Sequence, residues 1–499
     1  MTVFPGSLPR ICVALGLPTP SLLSRAAEHE YKDGNTFLEF RIDYLPDPST
    51  AAELIRNFKK RYPDSYIVAT CRHKQNNGGF SGSIEQQIAH LKNAVMAGAT
   101  AVDLEIESAE RVKSALPSLL DSTRLIISYH NFESTPALES VLRRLKRVPA
   151  DAYKIATTAR RPSDNLRMLH FAREHSSSKL VAFAMSDVGT VTRVLGPSFG
   201  CLYTYAAPAK GEPTAPGQIA AKDLRLLYRC EKLTTHSRVY GLIADPVSHS
   251  KSPLIHNRAF QARRIDAVYI PFLIAPPHLR DWMSVASALP VSGFSVTIPH
   301  KQRIARYLDV VEPLAKRIGA VNTVWRKAGK WRGTNTDTEG VLKPLRRRVR
   351  LAHAAVLVAG YGGGARAAAI AIREAGGNVT ITGRNMKRAQ ALARVVNAEA
   401  VTLTQAQSRQ YDVLVHATSV GMSPKVDDCL FCDTIPAHVV LDMVYNPHET
   451  VLLKRAKQQG CTLIHGSEML LEQAACQFEI WTGESAPRSV MQSALEHAA

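Results

Sequence analysis

Two patterns of apolar and polar residues divide this chain. From Ile11 to about Arg229, short apolar runs alternate with longer stretches in which apolar residues recur at helical spacing. The runs predict strands at Ile11 to Leu15, Phe37 to Asp43, Tyr66 to Cys71, Ala101 to Ile106, Arg124 to Ser128, Ala152 to Ala156, Lys179 to Ala184 and Cys201 to Tyr205. A strand followed by a helix, repeated in this way, predicts a (β/α)8 barrel, with a site expected at the carboxyl ends of the strands. Two of these strands alternate with period two. Leu38, Phe40 and Ile42 oppose Glu39, Arg41 and Asp43, and Val102, Leu104 and Ile106 oppose Asp103 and Glu105. Both faces of a helix-covered parallel sheet are buried, so these charges have to pair with one another or with a polar ligand. With Arg72 they predict a barrel mouth suited to something small, polar and anionic.

Beyond a polar stretch at Glu231 to Ser237 a second alternation begins, with strands predicted at Val239 to Ala244, Ala267 to Phe272 and Gly293 to Val296 in a mainly parallel sheet. It opens on Tyr240 to Pro253, an apolar strand running into a loop that carries Ser250 and Ser252. By itself that loop reads as a serine-rich turn capping a helix. Polar clusters follow later strand ends: Ser295, Thr297 and Lys301; Asn322; and Asn335, Thr336 and Asp337. Together they would line a cleft for a molecule rich in hydroxyls.

The second half also carries a dinucleotide signal. A buried strand, Val356 to Ala359, leads into Gly360, Tyr361, Gly362, Gly363, Gly364 and Ala365, and an alanine-rich helix continues through Arg366 to Ile372. A Gly-x-Gly-x-x-Ala turn between strand and helix lets a pyrophosphate approach the helix N-terminus. The next strand, Asn378 to Thr382, ends in Gly383, Arg384 and Asn385, with Lys387 and Arg388 close by, rather than in an acidic residue. That ending suits a ribose 2′-phosphate, so the expected cofactor is NADP.

Length and composition bound the rest. A chain of 499 residues suggests two to four domains. No apolar run approaches the roughly 20 residues of a membrane span, and no targeting pattern is evident, so a cytoplasmic protein is expected. Sixty-two basic against 43 acidic residues give a net charge of +19, which admits nucleic acid or anionic small molecules as partners. The densest basic run, Lys343, Arg346, Arg347, Arg348 and Arg350, has no interleaved aromatics and reads as a solvated helix face. The eight scattered cysteines suit reduced, buried thiols, and the close pair Cys429 and Cys432 lacks partners at zinc spacing, so no metal is expected.

Two residues of the first half look chemical. Lys154 is flanked on its own face by Ala152 and Ala156, and burial there would lower its pKa toward that of a Schiff-base amine. His130 ends the preceding strand, next to it. On these residues, with Glu39 and Arg41, Arg72, the Ser-Tyr-His run at His130, Lys-Ile-Ala at Lys154, Arg193 and Ala215 to Gln218, the first half resembles type I 3-dehydroquinate dehydratases. The resemblance implies an imine at Lys154, acid and base work by His130, a carboxylate held by Arg193, and substrate contacts from Glu39, Arg41, Arg72, Thr214 and Gln218. One departure is Asn77 before Gly78 and Gly79, where the family has a Glu that orients the histidine. Asn supplies no charge for that task, and Glu105 is the candidate to compensate.

From about Arg238 onward the chain resembles shikimate dehydrogenases, through Ser-Lys-Ser-Pro at Ser250, Val-Thr-x-Pro-x-Lys at Val296, Gly-Ala-Val-Asn-Thr at Gly319, Asn-Thr-Asp at Asn335, Ala-Thr-Ser at Ala417, Asp442 to Tyr445, and Gly466 with Met469 and Gln473. That resemblance implies Lys301 and Asp337 as the catalytic pair. It places Ser250, Ser252, Thr297, Asn322, Tyr445 and Gln473 on the substrate. The cofactor side would hold Gly360, Gly362, Gly363, Gly364, Ala365, Arg384, Asn385, Arg388, Thr418, Met443 and Gly466. Departures are Ser295 and His416, where Asn is more common.

The expected organisation is a barrel over 1–230, a substrate lobe over 238–345 completed by helices at 470–499, and a Rossmann-type lobe over 346–469. The expected function is two successive steps, dehydration of 3-dehydroquinate and NADPH-dependent reduction to shikimate, on small anionic substrates without nucleic acid or membrane. Two alternatives stay open: a chain active only as the reductase, and a basic scaffold on inactive folds.

Overall fold

The apolar runs of the first half become eight parallel strands: β1 (Ile11–Leu15), β2 (Phe37–Arg41), β3 (Tyr66–Thr70), β4 (Ala101–Glu105), β5 (Arg124–His130), β6 (Ala152–Thr158), β7 (Leu180–Met185) and β8 (Thr204–Ala206). The structure, a computed structural model, describes residues 8–112, 116, 123–247, 250–431 and 433–496. Strands β1 to β7 pair in sequence order and β8 pairs with β1. Leu202 N donates to Leu180 O at 2.8 Å, which brings the last strand back to β7 and closes the barrel.

Side-chain alternation sorts each strand into an inner and an outer face. Phe40 of β2 points outward, its ring 5.7 Å from Phe58 on helix Ala51–Arg61. On the inner face Phe37 lies with Val68, Ala101, Ile126, Ala152 and Val181 in one buried cluster. Burying each of the larger of these side chains is worth about 1.5–3 kcal/mol. Charged residues stand above this apolar layer on the same faces, toward the strand carboxyl ends.

Strand boundaries differ from expectation by up to three residues. Strand β2 stops at Arg41, and Ile42–Tyr44 form a 3-10 turn, because Arg41 folds back onto Asp43 through two hydrogen bonds of 2.9 and 2.7 Å. Strand β5 runs on to His130, which pairs with Ala156 of β6. Strand β8 begins three residues later than expected, since the backbone at Cys201 and Leu202 is occupied by Gly196 and Leu180.

The chain divides into two compact units. The first comprises Met1–Arg238 with Phe272–Pro290, and the second Val239–Pro271 with Val291–Ala499. Helix Leu279–Ala288 clusters with the first unit through helix Pro162–Glu174, where Ser163 N donates to Asp281 at 2.9 Å.

The second unit holds two sheets. One has the order β10-β9-β11-β13-β14-β12, from β9 (Arg238–Ala244), β10 (Ala267–Leu273), β11 (Val291–Val296), β12 (Val310–Val311), β13 (Thr323–Lys327) and β14 (Lys330–Thr334). It is mixed rather than mainly parallel. Strands β13 and β14 form an antiparallel hairpin whose two turn residues, Ala328 and Gly329, both have positive φ, as a tight hairpin turn requires. The hairpin pairs Thr323 with Thr334, so the polar clusters at Asn322 and Asn335 meet at its base. The other sheet is parallel, with order β17-β16-β15-β18-β19-β20, from β15 (Ala355–Ala359), β16 (Asn378–Thr382), β17 (Glu399–Val401), β18 (Tyr411–His416), β19 (Ala437–Asp442) and β20 (Thr462–Ile464). Strand order therefore reverses between β15 and β18, which opens a ligand crevice at their carboxyl ends.

Helix Gly466–Thr482 returns to the mixed sheet, where Trp481 Nε1 donates to Val324 O at 3.0 Å and Tyr240 Oη to Trp481 O at 3.2 Å. The basic run before β15 is more than a solvated face. Arg347 pairs with Glu472, and Arg348 with Glu468 at 2.8 Å, clamping helix Asp337–Arg346 to helix Gly466–Thr482. Among the described residues no helix is long and apolar enough to cross a membrane.

Candidate active sites

At the barrel mouth, Glu39, Arg41, Asp43, Arg72, Asp103, Glu105, Lys154 and Arg193 are all buried. Lys154 stands at the centre. Its Nζ donates to Asp103 at 2.8 Å and to Glu39 at 3.4 Å, and lies 4.1 Å from the centre of the Tyr205 ring. The lysine thus has two carboxylates in reach of its Nζ. Asp103 also accepts from Ser128 Oγ at 2.5 Å, and Glu39 from Thr70 Oγ1 at 2.8 Å. Burial works against the charge on Glu39, but Lys154, Arg41 and Arg72 outweigh it and hold the carboxyl below its ordinary value.

His130 sits on the strand beside Lys154. Both its ring nitrogens are out of solvent and have no hydrogen-bond partner, and the ring stacks on Phe132 at 6.1 Å. Burial first, then the positive charges of Arg72, Lys154 and Arg41, hold its pKa well below the ordinary histidine value. Glu105 does not compensate for the missing acidic residue: its two oxygens accept from His73 N at 2.7 Å and Gln87 Nε2 at 2.8 Å. Burial raises the Glu105 pKa. Asn77 is exposed and left-handed, with φ of 55°, a conformation asparagine tolerates. The two glycines after it serve the site by close approach. A Cβ at Gly78 would stand 2.0 Å from Arg72 O and one at Gly79 2.1 Å from Asp43 O, and Gly79 N donates to the Asp43 carboxylate at 2.9 Å.

Arg193 is fully buried, yet no carboxylate among the described residues pairs with it. It donates only at 3.3–3.4 Å to the carbonyls of Pro216 and Tyr205, lies 4.4 Å over the Phe183 ring, and leaves Nε without an acceptor. Burial pushes its pKa down to about 9. Arg72 Nε is likewise buried without an acceptor. Two buried cations with unused donors form a receptor for an anion. Thr214 and Gln218 lie in the loop after β8, half-buried and bonded to each other.

In the second unit the hairpin base assembles a tight polar cluster. Lys301 Nζ donates to Asp337 Oδ2 at 2.5 Å, and Asn322 Nδ2 donates to Asp337 Oδ1 at 2.8 Å. Asn322 also reaches Gln473 Oε1 at 3.5 Å. Gln477, which the sequence reading missed, ties this cluster together: Oε1 accepts from Ser295 Oγ at 2.8 Å, and Nε2 donates to Asn322 O and Thr323 Oγ1. Its signal was available, since it lies one turn beyond Gln473 on the same helix face. Ser295 accepts in turn from Tyr269 Oη at 2.7 Å, so Ser295 is spent on structure. Ser250 Oγ accepts from Ser252 N at 3.2 Å, and Ser252 is buried beside it. Ser248 and His249, between them and β9, lie outside the described residues, as does Cys432. Thr297 follows β11, and Tyr445 follows β19, where burial raises its pKa.

The glycine turn fits a dinucleotide. Gly360 has φ of +129°, and a Cβ there would stand 2.6 Å from Ala417 O at the end of β18, whereas a Cβ on Gly362 would meet nothing within 4 Å. Backbone thus lies close on one side and open on the other. Helix Gly363–Glu374 starts inside the glycine run, with Ala365 buried. Gly363 faces the Lys301 side chain, and Gly364 faces Met443, so the helix N-terminus adjoins the polar cluster. Arg384 and Arg388 are exposed without an ion pair among the described residues, and Asn385 caps the next helix by accepting from Arg388 N at 3.1 Å. Gly466 packs against Val444 O at the start of its helix, where a Cβ would stand 2.4 Å away. These features suit NADP, with a pyrophosphate at the turn and a 2′-phosphate at the two arginines.

Comparison with known proteins follows the same division. Residues 11–235 match the family model for type I 3-dehydroquinase, 242–324 that for the shikimate dehydrogenase substrate binding domain, and 466–496 that for the shikimate 5′-dehydrogenase C-terminal domain. The chain is 34% identical over 482 residues to the chloroplastic bifunctional 3-dehydroquinate dehydratase/shikimate dehydrogenase of Arabidopsis thaliana, covering 92% of this chain and 79% of that one. It is 38% identical to the shikimate dehydrogenase (NADP(+)) of Desulforamulus reducens over 281 residues, 53% of this chain and 96% of that one. A crystal structure of a shikimate dehydrogenase in complex with NADP+ superposes with a TM-score of 0.51 at 36% identity, covering 53% of this chain and 97% of that one. The buried lysine in its carboxylate ring, the Lys301 and Asp337 cluster and the glycine turn thus sit in matching halves of related proteins, and the chain belongs to the family of bifunctional 3-dehydroquinate dehydratase/shikimate dehydrogenases.

Proposed function

We propose that Lys154 and His130 dehydrate 3-dehydroquinate in the first unit, and that Lys301 with Asp337 completes the reduction of 3-dehydroshikimate in the second. The chain is a bifunctional shikimate-pathway enzyme with NADP as its cofactor. The observation that carries the assignment of the first step is Lys154, buried between Asp103 and Glu39 one strand from a histidine with two unused nitrogens.

For Lys154 to attack the substrate ketone it hands a proton to Asp103, 2.8 Å away. The amine adds to the carbonyl carbon, water leaves, and an imine forms. The imine accepts the electron pair released when His130 removes the neighbouring proton. His130, now protonated, returns that proton to the departing hydroxyl, and hydrolysis of the imine frees Lys154 and the unsaturated product. Arg193 takes the substrate carboxylate, Arg72 adds a second positive charge, and Glu39, Arg41, Thr214 and Gln218 hold the hydroxyls.

In the second unit Ser250, Ser252 and Tyr445 receive the carboxylate of the ketone product, while Thr297, Asn322 and Gln473 hold its ring hydroxyls. When bound, NADPH supplies the hydride to the ketone carbon. Lys301 gives its proton to the ketone oxygen, and Asp337, fixed by Asn322, holds Lys301 in place. The cofactor-side residues are Gly360, Gly362, Gly363, Gly364 and Ala365 at the pyrophosphate, Arg384, Asn385 and Arg388 at the 2′-phosphate, and Thr418, Met443 and Gly466 toward the nicotinamide. The seven described cysteines form no disulfide, which suits a reducing location such as the cytoplasm.

Two measurements test this reading. Borohydride should trap 3-dehydroquinate covalently on Lys154, located by peptide mass. Supplying 3-dehydroquinate with NADPH should oxidise NADPH and yield shikimate. Turnover of 3-dehydroshikimate alone would leave only the reductase, and no turnover of either would leave a scaffold.

A further inference from the structure

One buried titratable group in the nucleotide lobe has no role in the scheme above. His416 ends β18 and is 1% exposed. Its Nδ1 lies 2.8 Å from Asp442 Oδ1, at the end of neighbouring β19, and its Nε2 lies 2.6 Å from Thr418 Oγ1. Asp442 already accepts from Val444 N at 3.0 Å and from Thr450 Oγ1 at 2.6 Å.

For a neutral imidazole these partners fix the direction of each bond. A carboxylate only accepts, so in the neutral form of the imidazole Nδ1 would carry the proton and Nε2 would be the acceptor. The Thr418 hydroxyl must then donate to Nε2. Val420 N donates to Thr418 Oγ1 at 3.1 Å. A hydroxyl has one hydrogen and two lone pairs, so Thr418 has one lone pair left. Thr418 is half-buried next to Ala417, whose carbonyl packs under Gly360 at the point where strand order reverses.

We propose that His416 is a positioning residue that locks Thr418 as a hydrogen-bond acceptor at the cofactor crevice, matched to an N–H or O–H donor of the dinucleotide. Through Asp442 the same ring ties the loop that carries Thr418 to the loop that carries Met443 and Tyr445. An asparagine at this position is shorter and cannot bridge both partners. The inference rests on the NADP reading of the second unit.

The test is NADP+ binding to the intact protein, followed by fluorescence titration without turnover. His416→Asn and Thr418→Val should each weaken binding about 2- to 10-fold, the worth of one neutral hydrogen bond. Thr418→Ser, which keeps the hydroxyl, should bind as the unaltered protein does. In the double variant His416→Asn should add nothing to Thr418→Val, because no hydroxyl remains to be positioned. A 3-acetylpyridine analogue of NADP+, which lacks the amide N–H, identifies the donor. If the donor is the carboxamide, Thr418→Val will not change analogue binding, and if it is a ribose hydroxyl, the variant will weaken both nucleotides alike. Unchanged affinity in His416→Asn, or a loss that persists on the Thr418→Val background, overturns the proposal. Failure of the unaltered protein to bind NADP+ would overturn the cofactor reading instead.

Discussion

Arg193 is held at the barrel mouth at a cost to the fold, and replacing it should separate stability from catalysis. Burial with no opposing carboxylate pushes its pKa down to about 9. Against the ordinary guanidinium value, and at about 1.4 kcal/mol per pH unit, a depression of this size makes the buried charge cost on the order of 5 kcal/mol. Its compensations are weak. Two long bonds to carbonyls are worth roughly 1 kcal/mol each, and the Phe183 ring about 1–2 kcal/mol. Arg193→Met fills the same space without the charge and should therefore stabilise the ligand-free protein by about 1–2 kcal/mol, a Tm rise of about 2–8 °C for a unit of this size. The same variant loses the carboxylate receptor, worth about 2–5 kcal/mol, so dehydratase kcat/KM should fall roughly 30-fold to several thousand-fold. Thermal melts with and without 3-dehydroquinate, and the ultraviolet absorbance of the conjugated product, read both effects. Shikimate oxidation by the second unit is the internal control. A variant that melts lower than the parent while keeping kcat/KM within tenfold would refute the reasoning.

Three further outcomes are expected. Because burial and three neighbouring cations depress the His130 pKa, the histidine stays neutral through the physiological range, and the acid limb of dehydratase kcat/KM should lie well below pH 6.5. The sign for stability runs the same way: the unfolded chain takes up a proton near pH 6.5 and the folded site does not, so the first unit should lose stability as pH falls below that value, and His130→Gln should flatten the loss. Lys301→Met should lower reduction about 10²- to 10⁴-fold with dehydration intact, so that 3-dehydroshikimate accumulates from 3-dehydroquinate. Replacing Arg384 and Arg388 together by Ala should weaken NADP+ binding about tenfold or more while leaving NAD+ binding unchanged, since only the 2′-phosphate meets them.

How much of this was legible in the sequence depends on the range of the interactions involved. The inner face of β2 could be read from alternation because side-chain direction along a strand is local, and Glu39 and Arg41 fall where the pattern puts them. Asp43 reaches the same mouth from a 3-10 turn rather than from the strand, since its place is decided by the ion pair with Arg41 and by Gly79, far along the chain. The hairpin of β13 and β14 was missed although Ala328 and Gly329 sit at its turn, because the run of polar residues around them hid the period of two. The basic run is the solvent-exposed face that the sequence predicts, but its ion pairs could not be read there, because the partners, Glu468 and Glu472, are more than a hundred residues away.

By itself the sequence determined the two halves, the barrel, the glycine turn and the side chains able to do chemistry, since these rest on local periodicity and on motifs whose spacing is fixed by turn geometry. Tertiary structure alone decided which charges neutralise one another. It gave Lys154 two carboxylates, left Arg193 with none and His130 with no partner, spent Glu105 on a backbone amide and a glutamine, and joined His416 to Asp442. Charge balance in a buried site depends on which strand ends meet. The barrel and the doubly wound sheet settle that only once they have closed.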